Sequence, residues 1–487
     1  MYHADLYRGT LNRRGLSPAR LDRVVSTLPS LFGSRGITTL ALACVLAVLP
    51  ACASRPINPP LPSYEHSYGY RIANWSATRG DPEFGLIVTM SGGGTRAAAL
   101  AYGVLEELRR TAVPIAHPGH TLLDEVKVVT GVSGGAFTAL SFALYGDKLF
   151  AEYEKRFLKR DVQRELLGRL ATPLYWSSLA SPSYTRTEFA SDYYDEILFR
   201  GATFADLAKQ RGNPIAIVSA TEISSNARLT FDQNTFDILC SDLASVRLAR
   251  AAAASSAVPV VFAPLTLDNY AGSCGFNLDA LINTTLTDVD RTKVRRARMR
   301  REELEALADG ESHRYLHLVD GGVADNLALR TVVEALELAV ASRNFRAVAG
   351  FDRLKRLAVI VVNSHTAPNN DWGMYDSPPG VVGIVLKSAT ISIDRYSYEQ
   401  TEILHDYVLR HEETRGTSPG IDVFLIDVAF DALGDPGERR YFAELPTTLS
   451  LSDEQVDRLR EVGGRLLRES REYNRLLCSL GAPSCAR

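Results

Sequence analysis

The chain has 487 residues, of which 46% are hydrophobic and 23% are charged, a composition that excludes a disordered or fibrous protein. This length suits one large α/β domain with additions, or two ordinary domains. The formal net charge of −3 and the absence of CxxC and HExxH spacings give no indication of nucleic-acid binding or of a zinc site, and we expect neither a metal nor a cofactor.

The N-terminal region contains an uncharged apolar run over residues 37–51. The run is short for a membrane span but has the length of a signal-peptide core, with a buried apolar helix as the alternative. It ends in Leu49-Pro50-Ala51-Cys52, which resembles a bacterial lipobox. The resemblance implies a lipoprotein signal peptide over 1–51, lipidation and membrane anchoring through Cys52, and a place in the cell envelope. Ala53 implies sorting to the outer membrane in a Gram-negative organism.

Residues 52–83 are rich in Pro, Ser and Tyr, which predicts a tether. Four of the six cysteines follow it, and an even number outside the cytosol permits disulfides. Cys478 and Cys485, seven positions apart across a Gly-Ala-Pro turn, are the first candidate pair. Cys240 and Cys274 are the second, with separate buried thiols as the alternative.

From residue 84 onward, short apolar runs alternate with helical patterns. Most runs are continuously apolar, which is typical of parallel strands that are buried on both faces. The predicted strands are 85–91, 126–133, 215–222, 315–320, 357–363 and 421–427. Helical patterns lie between them, such as 97–110 with its single apolar stripe. This order predicts a three-layer α/β/α sandwich with a mostly parallel central sheet.

The main α/β domain is expected over 84–365, with helical insertions near 147–200 and 266–312. The first insertion ends in an aromatic-rich stretch and the second contains a basic run over 291–301. Either can dock on a membrane; the alternatives are core packing of the aromatic side chains and a solvated basic helix. Residues 366–487 are expected to complete the domain as a mainly helical extension, with long helices over 381–412 and 452–477.

A triple glycine follows the first predicted strand, in Ser91-Gly92-Gly93-Gly94-Thr95-Arg96. Glycines leave backbone N–H groups uncovered, and the helix that follows adds a partial positive charge at its N-terminus. Such a loop can hold a phosphate or an oxyanion, whereas a tight strand-to-helix turn is the alternative. The loop lacks the Lys-Ser/Thr ending of a nucleotide-binding P-loop.

The second predicted strand leads into Gly131-Val132-Ser133-Gly134-Gly135, a G-x-S-x-G pattern. Its helical continuation indicates a strained strand-to-helix turn that presents the serine hydroxyl, and Gly131 and Gly135 avoid steric clashes there. Ser133 is therefore a candidate nucleophile, although the pattern can also arise by chance in a glycine-rich chain. A serine needs a base to accept its proton.

Asp320 ends a predicted strand and is followed by Gly321 and Gly322. Because the carboxyl ends of parallel strands meet at one edge of a sheet, we expect Asp320 and Ser133 to lie together there. A simple turn or helix cap is the alternative for Asp320. The downstream histidines His365, His405 and His411 could serve a three-residue triad, but no sequence context singles one of them out.

These motifs, SGGGTRAAAL, GVSGG and DGGVADN in that order, resemble the patatin-like phospholipases over roughly residues 84–330. Residues 251–262 (AAAASSAVPVVF) are similar to an Ala/Ser-rich segment of the same family. The chain departs from the family pattern at Ala97, where glycine is frequent, and at Ala328, where proline is common. Neither change removes a reacting group.

The resemblance implies that Ser133 and Asp320 form a catalytic dyad and that the amides of Gly92, Gly93 and Gly94 form an oxyanion hole. Arg96 is expected to anchor the glycine loop. The implied activity is hydrolysis of lipid esters, of phospholipase A or esterase type, with a lipid as substrate. An α/β-hydrolase with a downstream histidine, an acyltransferase on the same fold and a non-enzymatic envelope lipoprotein remain alternatives.

Overall fold

The computed structural model describes residues 54–74, 80–114, 119–176, 181, 183–280, 294–341, 343–366, 371–374, 376, 380–413 and 421–482. The predicted signal peptide, the lipidation site Cys52 and the cysteine Cys485 lie outside these residues, as does the start of the basic run. No helix in the described ranges combines the length and apolar character needed to cross a bilayer.

The central sheet contains the six predicted strands and two short ones. The strands are β1 Phe84–Met90, β2 Val126–Gly131, β3 Ile215–Glu222, β4 Arg228–Thr230, β5 Leu265–Asp268, β6 Tyr315–Val319, β7 Arg356–Asn363 and β8 Asp422–Ala429. Their order is β5-β6-β3-β2-β1-β7-β8, and β4 also pairs with β3.

The sheet has two parts with different strand directions. Strands β3, β2, β1, β7 and β8 run parallel and are here called the parallel half. Strands β4 and β6 pair antiparallel with β3, and β5 pairs antiparallel with β6; these three form the antiparallel edge. The prediction of a mostly parallel sheet is confirmed. However, the supposed insertion 266–312 begins inside the sheet, because most of β5 falls within it.

Helices cover both faces of the sheet. They are α1 Gly94–Arg110, α2 Leu122–Glu125, α3 Gly134–Tyr145, α4 Leu149–Tyr153, α5 Val162–Leu170, α6 Arg186–Tyr194, α7 Phe204–Lys209, α8 Gln233–Ile238, α9 Leu248–Ser255, α10 Val294–Ala308, α11 Gly322–Asp325, α12 Arg330–Ala341, α13 Arg343–Val348, α14 Val381–Glu413, α15 Pro436–Ala443, α16 Asp453–Glu469 and α17 Arg471–Ser479. One-turn π segments, Glu154–Leu158 and Asp195–Phe199, continue α4 and α6; 3₁₀ turns lie at Ile72–Asn74, Gly146–Lys148, Pro173–Tyr175, Phe351–Arg353, Asp371–Met374 and Phe430–Ala432.

The alternation of side chains along β7 shows the three layers. Ala358, Ile360 and Val362 face a large core that includes residues of α1, α3 and α16. The residues that alternate with them, Leu357, Val359 and Val361, face a second core with residues of α12 and α14. A strand with both faces buried must be apolar throughout, which is why the continuous runs were recognisable.

Helix α1, which follows the glycine loop, packs closely against α16. A Cβ added at Gly103 would lie within 3.0 Å of the Arg460 backbone, and one added at Gly463 would meet the Leu100 carbonyl oxygen. Ser452, where the predicted helix 452–477 begins, caps α16 through a hydrogen bond from the Gln455 N–H. The long predicted helix 452–477 is divided at Ser470, which caps α17.

The described part of the predicted tether is folded onto the antiparallel edge. Arg55 forms an ion pair of 2.6 Å with Asp268 of β5, and Leu61 N–H donates to the Cys240 carbonyl at 2.7 Å. Cys240 and Cys274 are joined in a disulfide beside Leu61. The second candidate pair therefore forms, and residues 54–64 are a bound strap, not a loose linker. The pairing of Cys478 with Cys485 involves a residue outside the described ranges.

Several described residues of the two predicted membrane-docking segments make contacts within the fold, whereas Trp176 of the aromatic stretch is exposed. Phe189, Tyr193 and Tyr194 of the aromatic insertion are buried in the main core. In the basic segment, which α10 contains in part, Arg300 pairs with Glu303 at 2.8 Å and Arg301 with Glu305 at 2.6 Å. These features correspond to the alternatives of core packing and a surface helix.

Candidate active site

Ser133 lies between β2 and α3 in a strained backbone conformation. Its φ of 50° and ψ of −120° place a non-glycine residue in the positive-φ region, which is uncommon and is often found at functional sites. The Ser133 N–H donates to Ser255 Oγ at 2.9 Å. The side chain is 7% exposed and lies at the N-terminus of α3, where the helix dipole favours negative charge.

The hydroxyl of Ser133 is hydrogen-bonded directly to Asp320. Ser133 Oγ donates to Asp320 Oδ2 at 2.9 Å, while Asp320 Oδ1 accepts from the Gly322 N–H at 2.8 Å. Burial raises the pKa of the Asp320 carboxyl to about 6, although the two hydrogen bonds to its oxygens act in the opposite direction. A buried carboxylate with a raised pKa is a stronger proton acceptor than an ordinary aspartate.

Asp320 reaches Ser133 by a different route from the one expected. Strand β6 runs antiparallel to β3, with Val319 opposite Thr221, so the argument from parallel strand ends was wrong although the two side chains do meet. The chain then passes close to β3: a Cβ at Gly321 would fall within 3.0 Å of the Ser219 carbonyl oxygen. The Thr221 hydroxyl donates to the Asp320 carbonyl at 3.0 Å. These contacts fix the carboxylate at the nucleophile.

The glycine loop lies against the turn that carries Ser133. A Cβ added at Gly134 would overlap sterically with the Gly94 carbonyl oxygen, and one added at Gly92 would lie 3.4 Å from the Ser133 Cβ. Gly93 and Gly94 have φ values of 138° and 61°, which side-chain-bearing residues rarely adopt.

The three loop amides are not equivalent. The Gly92 N–H already donates to the Asn326 carbonyl at 2.9 Å, so the expectation that it serves an oxyanion does not hold for this arrangement. Neither the Gly93 nor the Gly94 N–H donates to another described residue. These two amides, at the N-terminus of α1, are the donors that remain for a developing negative charge.

The remaining glycines of the serine motif are required by close packing. A Cβ at Gly135 would meet the Met90 and Ser91 carbonyl oxygens, and one at Gly131 would meet the Gly135 carbonyl oxygen, all within 3.0 Å. Gly322 has a looser environment, in which the nearest atom is Asn326 Oδ1 at 2.9 Å.

Arg96 is buried beneath the glycine loop. Its guanidinium donates to the Ser364 carbonyl at 3.0 Å, to Thr447 Oγ1 at 3.1 Å and to the Leu445 carbonyl. It therefore ties the start of α1 to two distant segments. This position agrees with the predicted anchoring role.

Three polar residues of the site were not predicted as such. The Ser255 hydroxyl, which accepts from the Ser133 N–H, lies in the Ala/Ser-rich segment, and the Asn326 carbonyl, which accepts from the Gly92 N–H, lies in the DGGVADN motif; neither motif by itself indicates these roles. Ser364 Oγ donates to the Gly92 carbonyl at 2.8 Å. No local pattern identifies Ser364, because it follows β7 far along the chain.

Of the three histidines considered for a triad, His365 follows Ser364 and its backbone N–H donates to Asn363 Oδ1 at 3.0 Å; the other two have another partner or no described side chain. His405 binds Asp427 at 2.9 Å, and this partner raises the pKa of its imidazole. The side chain of His411 lies outside the described set. Within the described part of the chain, no three His, Cys, Asp or Glu side chains are grouped as a metal site.

The fold is a mixed, mostly parallel sheet with helices on both faces, of the patatin type. The family model described as patatin-like phospholipase matches residues 88–333, half of the chain. The chain therefore belongs to the patatin-like phospholipase family, which confirms the resemblance found in its motifs.

Solved structures of similar proteins are distant in sequence. Human GIVD cytosolic phospholipase A2 is 13% identical, with a TM-score of 0.43, over 82% of this chain and 63% of that one. VipD from Legionella pneumophila is 12% identical, with a TM-score of 0.31, over 87% and 71%. The type III effector ExoU of Pseudomonas aeruginosa is 15% identical, with a TM-score of 0.22, over 82% and 76%. The match spans less than two thirds of the human enzyme's length, and no curated protein matches the chain.

Proposed function

We propose that this protein is a lipid acyl hydrolase of phospholipase A or esterase type that uses Ser133 as nucleophile and Asp320 as general base. The observation that carries the proposal is the direct hydrogen bond of 2.9 Å between the two side chains. Both are buried, and the serine occupies a strained turn at a helix N-terminus. This environment supports activation of a hydroxyl by a carboxylate without an intervening imidazole.

In the first half-reaction, Ser133 Oγ attacks the ester carbonyl carbon while its proton passes to Asp320 Oδ2. The N–H groups of Gly93 and Gly94 stabilise the oxyanion that forms. The C–O bond to the leaving alcohol then breaks, and the alcohol takes the proton from Asp320. In the second half-reaction, Asp320 accepts a proton from water as it attacks the acyl-enzyme. The bond between the acyl carbon and Ser133 Oγ then breaks, the fatty acid leaves, and Ser133 Oγ takes the proton back from Asp320.

The decisive experiment compares three variants on a chromogenic fatty-acyl ester. Ser133→Ala and Asp320→Asn should each lower kcat/KM by on the order of a thousandfold or more. Ser141→Ala is the matched control, because this buried serine lies on α3, the helix that follows Ser133, and its hydroxyl binds no described group. Ser141→Ala should retain wild-type turnover. Near wild-type activity of Ser133→Ala would exclude the dyad.

A fluorophosphonate probe and lipid analysis separate the alternatives. Labelling of wild-type protein but not of Ser133→Ala supports a serine nucleophile, whereas no labelling supports a non-enzymatic lipoprotein. Release of free fatty acid from phospholipid supports a hydrolase; transfer of the acyl group to a second lipid in the same assay supports an acyltransferase.

The position of the protein in the cell is a separate part of the proposal. Lipidation of Cys52 would anchor the protein in the cell envelope, at the outer membrane of a Gram-negative organism. Metabolic labelling with an alkyne fatty acid should mark the wild-type protein and not Cys52→Ser. Equal labelling of both proteins would contradict lipidation at this cysteine.

A further inference from the structure

An uncharged stretch lies beside the Ser133–Asp320 pair. No charged residue occurs from 251 to 267. The stretch begins in the buried helix α9, and ends in β5, but its middle is at the surface. Residues 258–262, here called the mouth loop, expose Val260 to 50% and Val261 to 51%.

The backbone of the mouth loop is strained at its tip. Val260 has a φ of 73°, which for a β-branched residue is a rare conformation with an energetic cost. Such strain persists where the surrounding structure imposes it, and it is concentrated at functional positions. Here it holds two valine side chains at the surface.

The mouth loop is attached to the site at its start and to the helical insertion at its end. The Asp320 N–H donates to the Ala257 carbonyl at 2.9 Å, and the Phe262 N–H closes the loop on the Val258 carbonyl at 2.9 Å. The Ala263 carbonyl accepts a hydrogen bond from Thr187 Oγ1 of α6. The loop is therefore fixed with respect to the carboxylate.

A third exposed valine lies on the other side of Asp320 along the chain. Val323 is 42% exposed, and its N–H donates to the Asp320 carbonyl at 3.2 Å. Two separate segments that bind the backbone of Asp320 thus present branched apolar side chains to solvent. Scattered exposed apolar residues are ordinary, but a group around one buried polar pair is not.

We propose that the mouth loop and Val323 form an apolar rim that inserts into the surface of a lipid bilayer and receives the acyl ester there. This inference rests on the proposed lipid hydrolysis. Each methylene that moves from a bilayer into water costs roughly a factor of four in equilibrium concentration, so a long-chain ester is best delivered without crossing water. An uncharged rim enters the apolar boundary without desolvating an ion.

The test uses the full-length chain in a Cys52→Ser background, so that a lipid anchor makes no contribution. Val260→Asn/Val261→Ser replaces the exposed valines, and Asn tolerates the positive φ at position 260. The control is Leu167→Ser. Leu167 is an exposed apolar residue on α5, and an ion pair between Arg169 and Glu196 joins this helix to the π segment that follows α6. Binding to phosphatidylcholine vesicles is measured by sedimentation.

The double variant should bind vesicles on the order of tenfold more weakly than wild type and hydrolyse vesicle phosphatidylcholine correspondingly more slowly. Its rate on monomeric p-nitrophenyl butyrate should change by less than about threefold, and Leu167→Ser should match wild type in every assay. Fluorophosphonate labelling at the wild-type rate shows that the variant is folded.

Unchanged vesicle binding by the double variant would overturn the proposal. So would an equal loss on the monomeric and vesicle substrates with binding intact, because the valines would then hold a single acyl chain. Loss of a wild-type dimer in light scattering, with vesicle binding intact, would assign the rim to a second copy of this chain and also overturn it. If wild type binds vesicles through the valines but hydrolyses no ester, the proposed function fails and the lipid-surface contact stands.

Discussion

The nucleophile and the acid meet at one point but belong to two differently built regions. Ser133 extends from β2 of the parallel half, where glycines let backbone segments touch: Gly134 on Gly94 and Gly135 on Met90. Asp320 extends from β6 of the antiparallel edge and is held mainly by two backbone hydrogen bonds. Its carbonyl accepts from the Thr221 hydroxyl, and its N–H donates to the Ala257 carbonyl. The nucleophile is thus positioned by steric fit and the acid mainly by polar contacts.

The acid side has one steric contact of its own, Gly321 against the Ser219 carbonyl. This contact makes the comparison testable, because each region then has a glycine at which a methyl group would strike backbone. A backbone neighbour cannot rotate away as a side chain can. Alanine at either position must therefore displace a segment that carries a reacting group.

Gly134→Ala and Gly321→Ala should each lower kcat/KM on a chromogenic ester at least about a hundredfold, because 1 Å displacements of reacting groups have effects of this size. Gly134→Ala moves both Ser133 and the glycine loop, so we expect the larger loss there. Gly168→Ala is the control: apart from its chain neighbours and the backbone of its own helix, no described atom lies within 4 Å of the point that its new methyl group would occupy, and alanine in α5 should be neutral or slightly stabilising. Wild-type activity of Gly321→Ala would mean that polar contacts alone position the acid.

The same two regions differ in how far the sequence predicts them. The strands of the parallel half are long and continuously apolar, so their positions could be recognised. Strands β4 and β5 span only three and four residues, and such short runs resemble loops. Strand direction is not encoded in a run of apolar residues, which is why the route of Asp320 was predicted wrongly.

Site residues that belong to a local motif were predictable, whereas those that reach the site only because distant parts of the chain are adjacent in the fold were not. Ser133 and Asp320 stand in glycine-flanked patterns that strained or closely packed turns require. Ser364 contacts Gly92 only because β7 lies beside β1 in the sheet. The Cys240–Cys274 disulfide likewise joins two segments that meet only in the folded chain, and its spacing of 34 gives no local signal.

Removal of the disulfide, beside which Leu61 of the strap packs, tests whether this attachment helps to position Asp320. Cys240→Ser/Cys274→Ser should lower the free energy of unfolding by about 3–4 kcal/mol, the value expected for a loop of this length, as measured by urea denaturation. The rate on a monomeric ester per folded molecule should stay within about threefold of wild type, because the hydrogen bonds of Asp320 do not involve the strap.

Asn58→Ala gives a matched comparison without altering the cysteines, since its side chain joins the strap to Ser241 and to the Asp268 carbonyl. It should destabilise by about 1–3 kcal/mol and also leave the monomeric rate near wild type. A hundredfold loss of rate in either variant would show that the strap positions the acid.

The raised pKa of Asp320 gives a further prediction, with a definite sign. Below about pH 3, well under the ordinary aspartate pKa, the carboxyl is mostly protonated in both folded and unfolded chains. Between pH 4 and 6 the folded protein binds the proton more tightly, so stability attributable to this group is lost as pH rises through its folded pKa of about 6. At pH 8 the buried carboxylate costs about 3 kcal/mol. Asp320→Asn should therefore be stabilising by up to about that amount at pH 8 and by little at pH 4.

Activity should depend on pH in the opposite sense, because a general base must be ionised. We expect kcat/KM on a monomeric ester to rise through about pH 6 and to be about tenfold lower at pH 5 than on the plateau. Asp206→Asn is the control of opposite sign: hydrogen bonds from Lys209 and the Thr203 N–H lower the pKa of Asp206, so its replacement should destabilise at pH 8. An activity profile that is flat from pH 5 to 8, with no stabilisation of Asp320→Asn at pH 8, would show that Asp320 is not the base and that its burial has little energetic cost.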